Sequence, residues 1–474
     1  MTELGRIQSS YLEMAEEYFG SLYRTSPTKN PADAADHYAR MSLAGSVMLE
    51  SLRSLPHDIV EFWRSNEESL KSEIGRLKGL KANYGGDISP SDGPSLVSRT
   101  GLYADTILIP DPILRCSSFV VTDTLYPPYS LFYLLKHAFS ILNMRDLLLA
   151  DVNPPIAAIY PSEIMLRRDN ISVYAKYAAQ DAMEYFSELF QQDFKNAEEV
   201  DTFLRNRNNI SALADAVKDH SLLIPDIRQG SDVADGLRKF EEKHKSLGFR
   251  PIIDENIGNL IKLYTYGRLI WLGVHFSDCG SFRSEPLFDA PNSWHMYLWK
   301  ARNESMKITS DYSRRPDVNT MVVNAMQLDN LKWLGRVPLD KLVLLRQNGE
   351  LSELRELLRR EILEIKSATE DELPEIAKQV EYNMTEAFKR HSQDIRQTES
   401  RCKSQYKIDS GLIVVGAISA AASLVSPLAC FLGLIGGAGI VDLYRAYRER
   451  KKELDSLKMR PVGILFDVKS QSDE

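Results

Sequence analysis

Five acidic residues lie near two predicted strands, where carboxylates could supply oxygen ligands to a cation. Leu102–Ile109 (LYADTILI) is a short, apolar, partly β-branched run that reads as a strand and is stopped by Pro110-Asp111-Pro112; Asp105 lies toward its start and Asp111 just past its end. Asp123, Asp151 and Glu163 follow, around a second short apolar run, Ile156–Tyr160. Carboxylates at the ends of parallel strands can hold Mg²⁺ for phosphodiester chemistry. The plainer reading is that Asp in Pro-Asp-Pro serves a turn and that the others are solvated strand ends. A metal-dependent nuclease or hydrolase, with Mg²⁺ as its cofactor, therefore requires Asp105, Asp111 and at least one of the other three to converge.

Other fragments point less far. Pro225-Asp226 with Glu241-Glu242-Lys243, and Pro110-Asp111 with the distant Glu364-Ile365-Lys366, resemble pieces of a metal-dependent nuclease site. That chemistry needs the Glu and Lys on a strand, whereas both runs lie in helical patterns and read as solvated faces. His57-Asp58 could be a metal-binding pair, but it follows Pro56 at a helix start, where Asp favours the free N–H groups. There is no Gly-Lys dipeptide and hence no P-loop, and no H-E-x-x-H, H-x-E, G-x-S-x-G or G-x-G-x-x-G. Cys116, Cys279, Cys402 and Cys430 form no C-x-x-C pair, so a zinc site on paired cysteines is not expected; scattered single cysteines suit a reducing cytosol.

The second feature with physical consequences is an uncharged stretch. No charge falls between Asp409 and Asp442, and residues 411–441 read GLIVVGAISAAASLVSPLACFLGLIGGAGIV. Such a run has the length of a membrane span. Ala417 and Ala421, and Gly433 and Gly437, are small residues four apart, the spacing of close helix contact. Arg445, Arg448, Arg450, Lys451 and Lys452 follow, a basic flank suited to anionic headgroups and a cytoplasmic position. Ser426-Pro427, however, breaks the run near its middle. Two halves of about 15 residues would each reach about 22 Å, short of the ~30 Å hydrocarbon core. A helical hairpin buried in the protein and a membrane-inserted segment both fit.

The elements that position these residues are mostly helical. Of 474 residues 43% are hydrophobic and 26% charged, a globular balance, and the length suggests several domains. The net charge of -8 gives no support for general nucleic-acid binding. The spacing predicts helices up to about Tyr84, with Ile59, Phe62, Trp63, Leu70, Ile74 and Leu77 on one buried face. Gly85–Pro94 is a loop and a domain boundary. Strand, helix (from Tyr129 to about Leu149), strand then makes a βαβ unit with parallel strands. Thr320–Val323 reads as a further strand. Ile376, Val380, Met384, Phe388, His391 and Ile395 step along one long amphipathic helix that restarts at Pro374, of a length suited to a stalk. The aromatics from Tyr264 to Trp299 read as core.

The expected fold is thus mainly α, with a small inserted α/β element and a C-terminal apolar helical hairpin. Its regions are 1–84, helical; 96–165, α/β; 166–310, helical and rich in aromatics; 311–407, amphipathic helices; and 408–474, hairpin, basic helix and a short C-terminal strand or tail. The segments LYADTILIPDPI (from Leu102) and VPLDKLVLLRQNGELSELRELLRR (from Val337) resemble recurrent segments of uncharacterised bacterial proteins of the kind encoded in accessory or anti-phage defence islands. That resemblance implies a bacterial cytosolic setting, with inner-membrane association through 411–441 left open, and work beside partner proteins or as a homo-oligomer. It carries no catalytic residues. The function expected is a non-catalytic interaction, sensor or regulatory subunit; a membrane-acting effector and the nuclease are the alternatives.

Overall fold

The computed structural model describes residues 2–40, 52–85, 93–121, 127–166, 171–207, 209–217, 232–246, 256–289, 291–308, 318–359, 372–405, 452 and 455–472. The uncharged stretch 411–441, Asp123, Arg445, Arg448, Arg450, Lys451 and Glu364–Lys366 lie outside them.

In chain order the elements are α1 (Glu3–Thr25), α2 (Pro31–Arg40), α3 (Leu55–Arg76), β1 (Lys81–Tyr84), α4 (Gly93–Gly101), β2 (Thr106–Pro110), α5 (Pro112–Val121), α6 (Pro127–Asn143), α7 (Arg145–Leu148), β3 (Ala157–Tyr160), α8 (Glu163–Leu166), α9 (Ile171–Phe190), α10 (Ala197–Arg205), α11 (Ile210–Ala216), α12 (Val233–Ser246), α13 (Ile257–Phe282), β4 (Glu285–Leu287), α14 (Pro291–Ile308) and α15 (Val318–Ala325). A 3₁₀ helix (Asp329–Arg336), α16 (Leu339–Gln347), α17 (Leu351–Arg359), α18 (Glu372–Gln405) and α19 (Pro461–Ser472) complete them. The fold is mainly α around one small, wholly parallel sheet of spatial order β3-β2-β1-β4.

β2 and β3 form as expected because Thr106–Pro110 and Ala157–Tyr160 are apolar and lie between helices, buried almost throughout. Two strands were not foreseen. β1 is Lys-Ala-Asn-Tyr, lacking any β-branched run, and falls within the region expected to be helical. β4 is three residues with Pro286 in the middle, tolerated because it is an edge strand. The strand expected at Thr320–Val323 is instead helix α15. Its Met321, Val322, Val323 and Ala325 are all buried, and the helix packs on β4 and α18, so tertiary burial overrides β-branched propensity. The C-terminal strand is likewise a helix, α19, which buries Ile464, Leu465 and Val468. One apolar cluster runs from Leu4 to Val468, so the five expected regions share a core and the sheet takes strands from three of them.

Both outer edges of the sheet are closed by a side-chain carboxamide. On β3, Gln8 of α1 donates from Nε2 to Ile159 O (2.8 Å) and accepts from Ile159 N–H (2.8 Å). On β4, Asn324 of α15 donates from Nδ2 to Pro286 O (2.8 Å) and accepts from Phe288 N–H (2.7 Å). Each amide imitates the missing neighbouring strand, and both are buried.

The long expected helix is present as α18. Its 34 residues would extend about 51 Å. Leu373, Ile376, Ala377, Val380 and Met384 bury its first half. The chain leaves the body along α18 and comes back as α19, which packs against α18 and the 3₁₀ helix.

Candidate functional site

The structure puts Asp105 and Asp111 at opposite ends of β2. Six residue steps of extended chain separate them by about 20 Å, so no single cation can bind both. The convergence that the nuclease reading required of this pair is absent. Asp151 is exposed in the loop before β3. Glu163 begins the four-residue α8. Among the described residues no three His, Cys, Asp or Glu side chains are grouped to hold a metal.

Asp111 follows β2 directly and is 3% exposed. Its Oδ1 accepts from the Tyr11 hydroxyl (2.7 Å) and from the backbone N–H groups of Ile113 (2.8 Å) and Leu114 (3.2 Å), capping α5. Its Oδ2 accepts from Trp63 Nε1 (2.5 Å). Burial pushes its carboxyl up to about 6, against the pull of these four donors. One carboxylate thus fastens α1, α3 and α5 to the end of the strand.

Asp105, at the other end, is also a fastening point. Its Oδ2 accepts from Leu80 N–H (2.7 Å) and pairs with the Arg355 guanidinium. Arg355 Nε also donates to Tyr103 O (2.5 Å). Arg346 donates to the carbonyls of Asp105 and of Pro154, the latter at 2.9 Å. Gly79 has φ +90, and a Cβ there would overlap the Asp105 carboxylate. Tyr103, Asp105 and Pro154 around β2 and β3 are therefore joined to Arg346 of α16 and Arg355 of α17 at this clamp.

A polar seam that sequence reasoning missed lies between the sheet and α13. The Tyr160 hydroxyl is shared between Asn83 Oδ1 (2.9 Å) and Asp278 Oδ2 (3.1 Å), and Ser162 also donates to Asp278 Oδ2 (3.1 Å). Nearby, His275 lies against Gly85, where a Cβ would overlap its ring, and its Nε2 is 3.6 Å from Cys279 Sγ. Burial pushes the His275 imidazole down to about 3 and the Cys279 thiol up. Both are held neutral, the opposite of a thiolate–imidazolium nucleophile. No local signal marks the seam, because its residues lie far apart in sequence.

Glu241 to Lys243 sit on helix α12, and Pro225-Asp226 lies outside the described residues. Asp58 lies in the first turn of α3 and accepts from the Tyr18 hydroxyl. Trp294, Tyr297 and Trp299 are buried core, with Trp294 and Tyr297 stacked at 5.2 Å. No described helix is long and apolar enough to cross a membrane, and Ala417, Ala421, Gly433 and Gly437 lie outside the described residues.

The last arrangement is the stem. On α18, Phe388 and His391 both pack against Phe466 of α19, ring centroids 5.8 and 5.5 Å apart. Phe388 also meets Trp333 of the 3₁₀ helix at 6.1 Å, and Lys469 Nζ sits 5.4 Å from the same indole. No family model matches the chain, and no curated protein or solved structure is significantly similar to it.

Proposed function

We propose that this chain is a non-catalytic interaction subunit that holds the uncharged segment 411–441 at the end of a helical stem and uses it to contact a protein partner or a second copy of itself. The observation that carries this reading is the pairing of α18 with α19 through Phe388, His391 and Phe466. The chain that runs out along α18 returns to the same helix, so both flanks of the segment are tied to one body. The carboxylates suspected of chemistry are instead fasteners: Asp111 and Asp105 fix helices to the two ends of β2. The resemblance to proteins of accessory and anti-phage islands supports a setting in a bacterial defence system.

A second reading is a membrane-acting effector. Flanks tied to one body suit an insertion that enters and leaves on the same side, and Pro427 sits where such a segment would reverse. The basic residues Arg445 to Lys452 would then rest on anionic headgroups.

The test replaces residues 411–441 with a short Gly/Ser linker. The interaction reading expects an unchanged melting temperature of the body, with loss of self-association in light scattering or of the co-purifying partner. A full-length chain that is monomeric and partnerless, and unchanged by the replacement, contradicts it. Flotation of the intact chain with anionic vesicles, lost on replacement, would favour the effector.

A further inference from the structure

We infer that His391 is an acid-sensitive pin of the α18–α19 seam: neutral, it holds the C-terminal helix against the stem, and protonated, it releases it. His391 is 5% exposed, and its Nε2 is buried with no hydrogen-bond partner. Its ring packs on Phe466, which also contacts Phe388. An aromatic seam accepts a neutral imidazole as one more ring. An imidazolium in the same place carries a charge with a buried, unsatisfied N–H, which is costly.

The charges that face the ring are few. Asp394 of its own helix and Asp467 of α19 favour protonation; Arg460, in the turn before α19, opposes it. Lys469 of α19 is turned toward Trp333. Burial outweighs the two carboxylates and pushes the imidazole below its ordinary value. The sign follows. Docking is complete above the free histidine value of about 6.5 and weakens as pH falls from there toward the lower docked value. Over that window the docking constant falls by up to about tenfold per pH unit. Removing Asp467 takes away a partner for the imidazolium, so D467N should make release in acid more pronounced.

The two helices of this seam flank, in sequence, the segment used in the proposed function, and the consequence there rests on that reading; the pin itself does not. Hydrogen exchange of the full chain, corrected for the intrinsic effect of pH, reads docking rather than partner binding. Between pH 8 and 5.5, peptides covering Pro461–Ser472 should lose protection several-fold while those covering Glu3–Thr25 keep theirs. H391F, which preserves the ring packing without a titrating nitrogen, should hold α19 protected throughout; H391M serves if H391F leaves Glu3–Thr25 unprotected at pH 8. Wild-type protection of α19 that ignores pH, an H391F protein as acid-sensitive as wild type, or loss of protection in both helices together would overturn the inference.

Discussion

Asp111→Asn separates the two roles of the buried carboxylate, its charge and its acceptor capacity. In the native protein three of the four donors, Tyr11, Ile113 N–H and Leu114 N–H, reach Oδ1, and only Trp63 reaches Oδ2. Asparagine oriented with its oxygen at the Oδ1 position keeps those three bonds. Its amide nitrogen then faces the Trp63 N–H, so one bond is lost and two donors confront each other, costing about 1–3 kcal/mol. Against this, the buried charge disappears. The native carboxyl titrates at about 6, above the ~3.9 of an unfolded aspartate. The folded state therefore holds its proton more tightly, and stability falls as pH rises from about 4 through 6. The difference at neutral pH is on the order of 3 kcal/mol. At pH 7.5 the second effect equals or outweighs the first, so D111N should be as stable as wild type there or more stable by up to about 2 kcal/mol, and should lose that standing at pH 4.5, where the native group is neutral. Urea denaturation at pH 4.5, 6 and 7.5 measures this, and the difference between the two proteins isolates Asp111 from other carboxylates that titrate in the same window. A wild-type-minus-D111N stability difference that stays constant across this range would refute the assignment of a raised, buried carboxyl.

The remaining expectations concern the other fasteners. Gln8→Ala and Asn324→Ala each strip an edge strand of its substitute partner, leaving one N–H and one C=O unpaired; each should cost about 2–4 kcal/mol in thermal or urea unfolding and promote aggregation. Arg355→Met frees the partly buried Asp105 carboxylate and should destabilise the fold by about 1–3 kcal/mol, while D105N/R355M should recover part of that loss; no recovery would refute a direct pairing. Phe466→Ala removes a ring from the α18–α19 seam and should detach the C-terminal helix, seen as faster proteolysis near Met459 with the remainder of the body intact.

The sequence disclosed the helical class, the parallel pairing of β2 with β3, and α18, because these follow from local periodicity and β-branched runs. It did not disclose β1 or β4. Lys81–Tyr84 has no strand pattern and becomes a strand only because β2 and β4 lie on either side of it. Thr320–Val323 misled in the other direction, since local propensity favours a strand where packing between β4 and α18 favours a helix. The carboxylates at strand ends were legible as unusual positions, but their partners were not. Tyr11 and Trp63 reach Asp111 from 100 and 48 residues away, and Arg355 reaches Asp105 from 250 residues away, which no spacing rule could reveal. Asn83, Tyr160 and Asp278 escaped notice for the same reason.

The central claim is that the uncharged segment is the working part and the rest of the chain its holder. Ala421→Asp and Gly437→Asp, made separately in the full chain, test it most directly when melting temperature and association are measured on the same samples. A displayed segment predicts a body that melts as wild type while self-association, partner binding or vesicle flotation is lost. A segment packed permanently inside the protein would instead give variants that melt early or come out insoluble, because an unpaired buried charge is costly, with wild type never associating with partner, copy or membrane. That result would contradict the account.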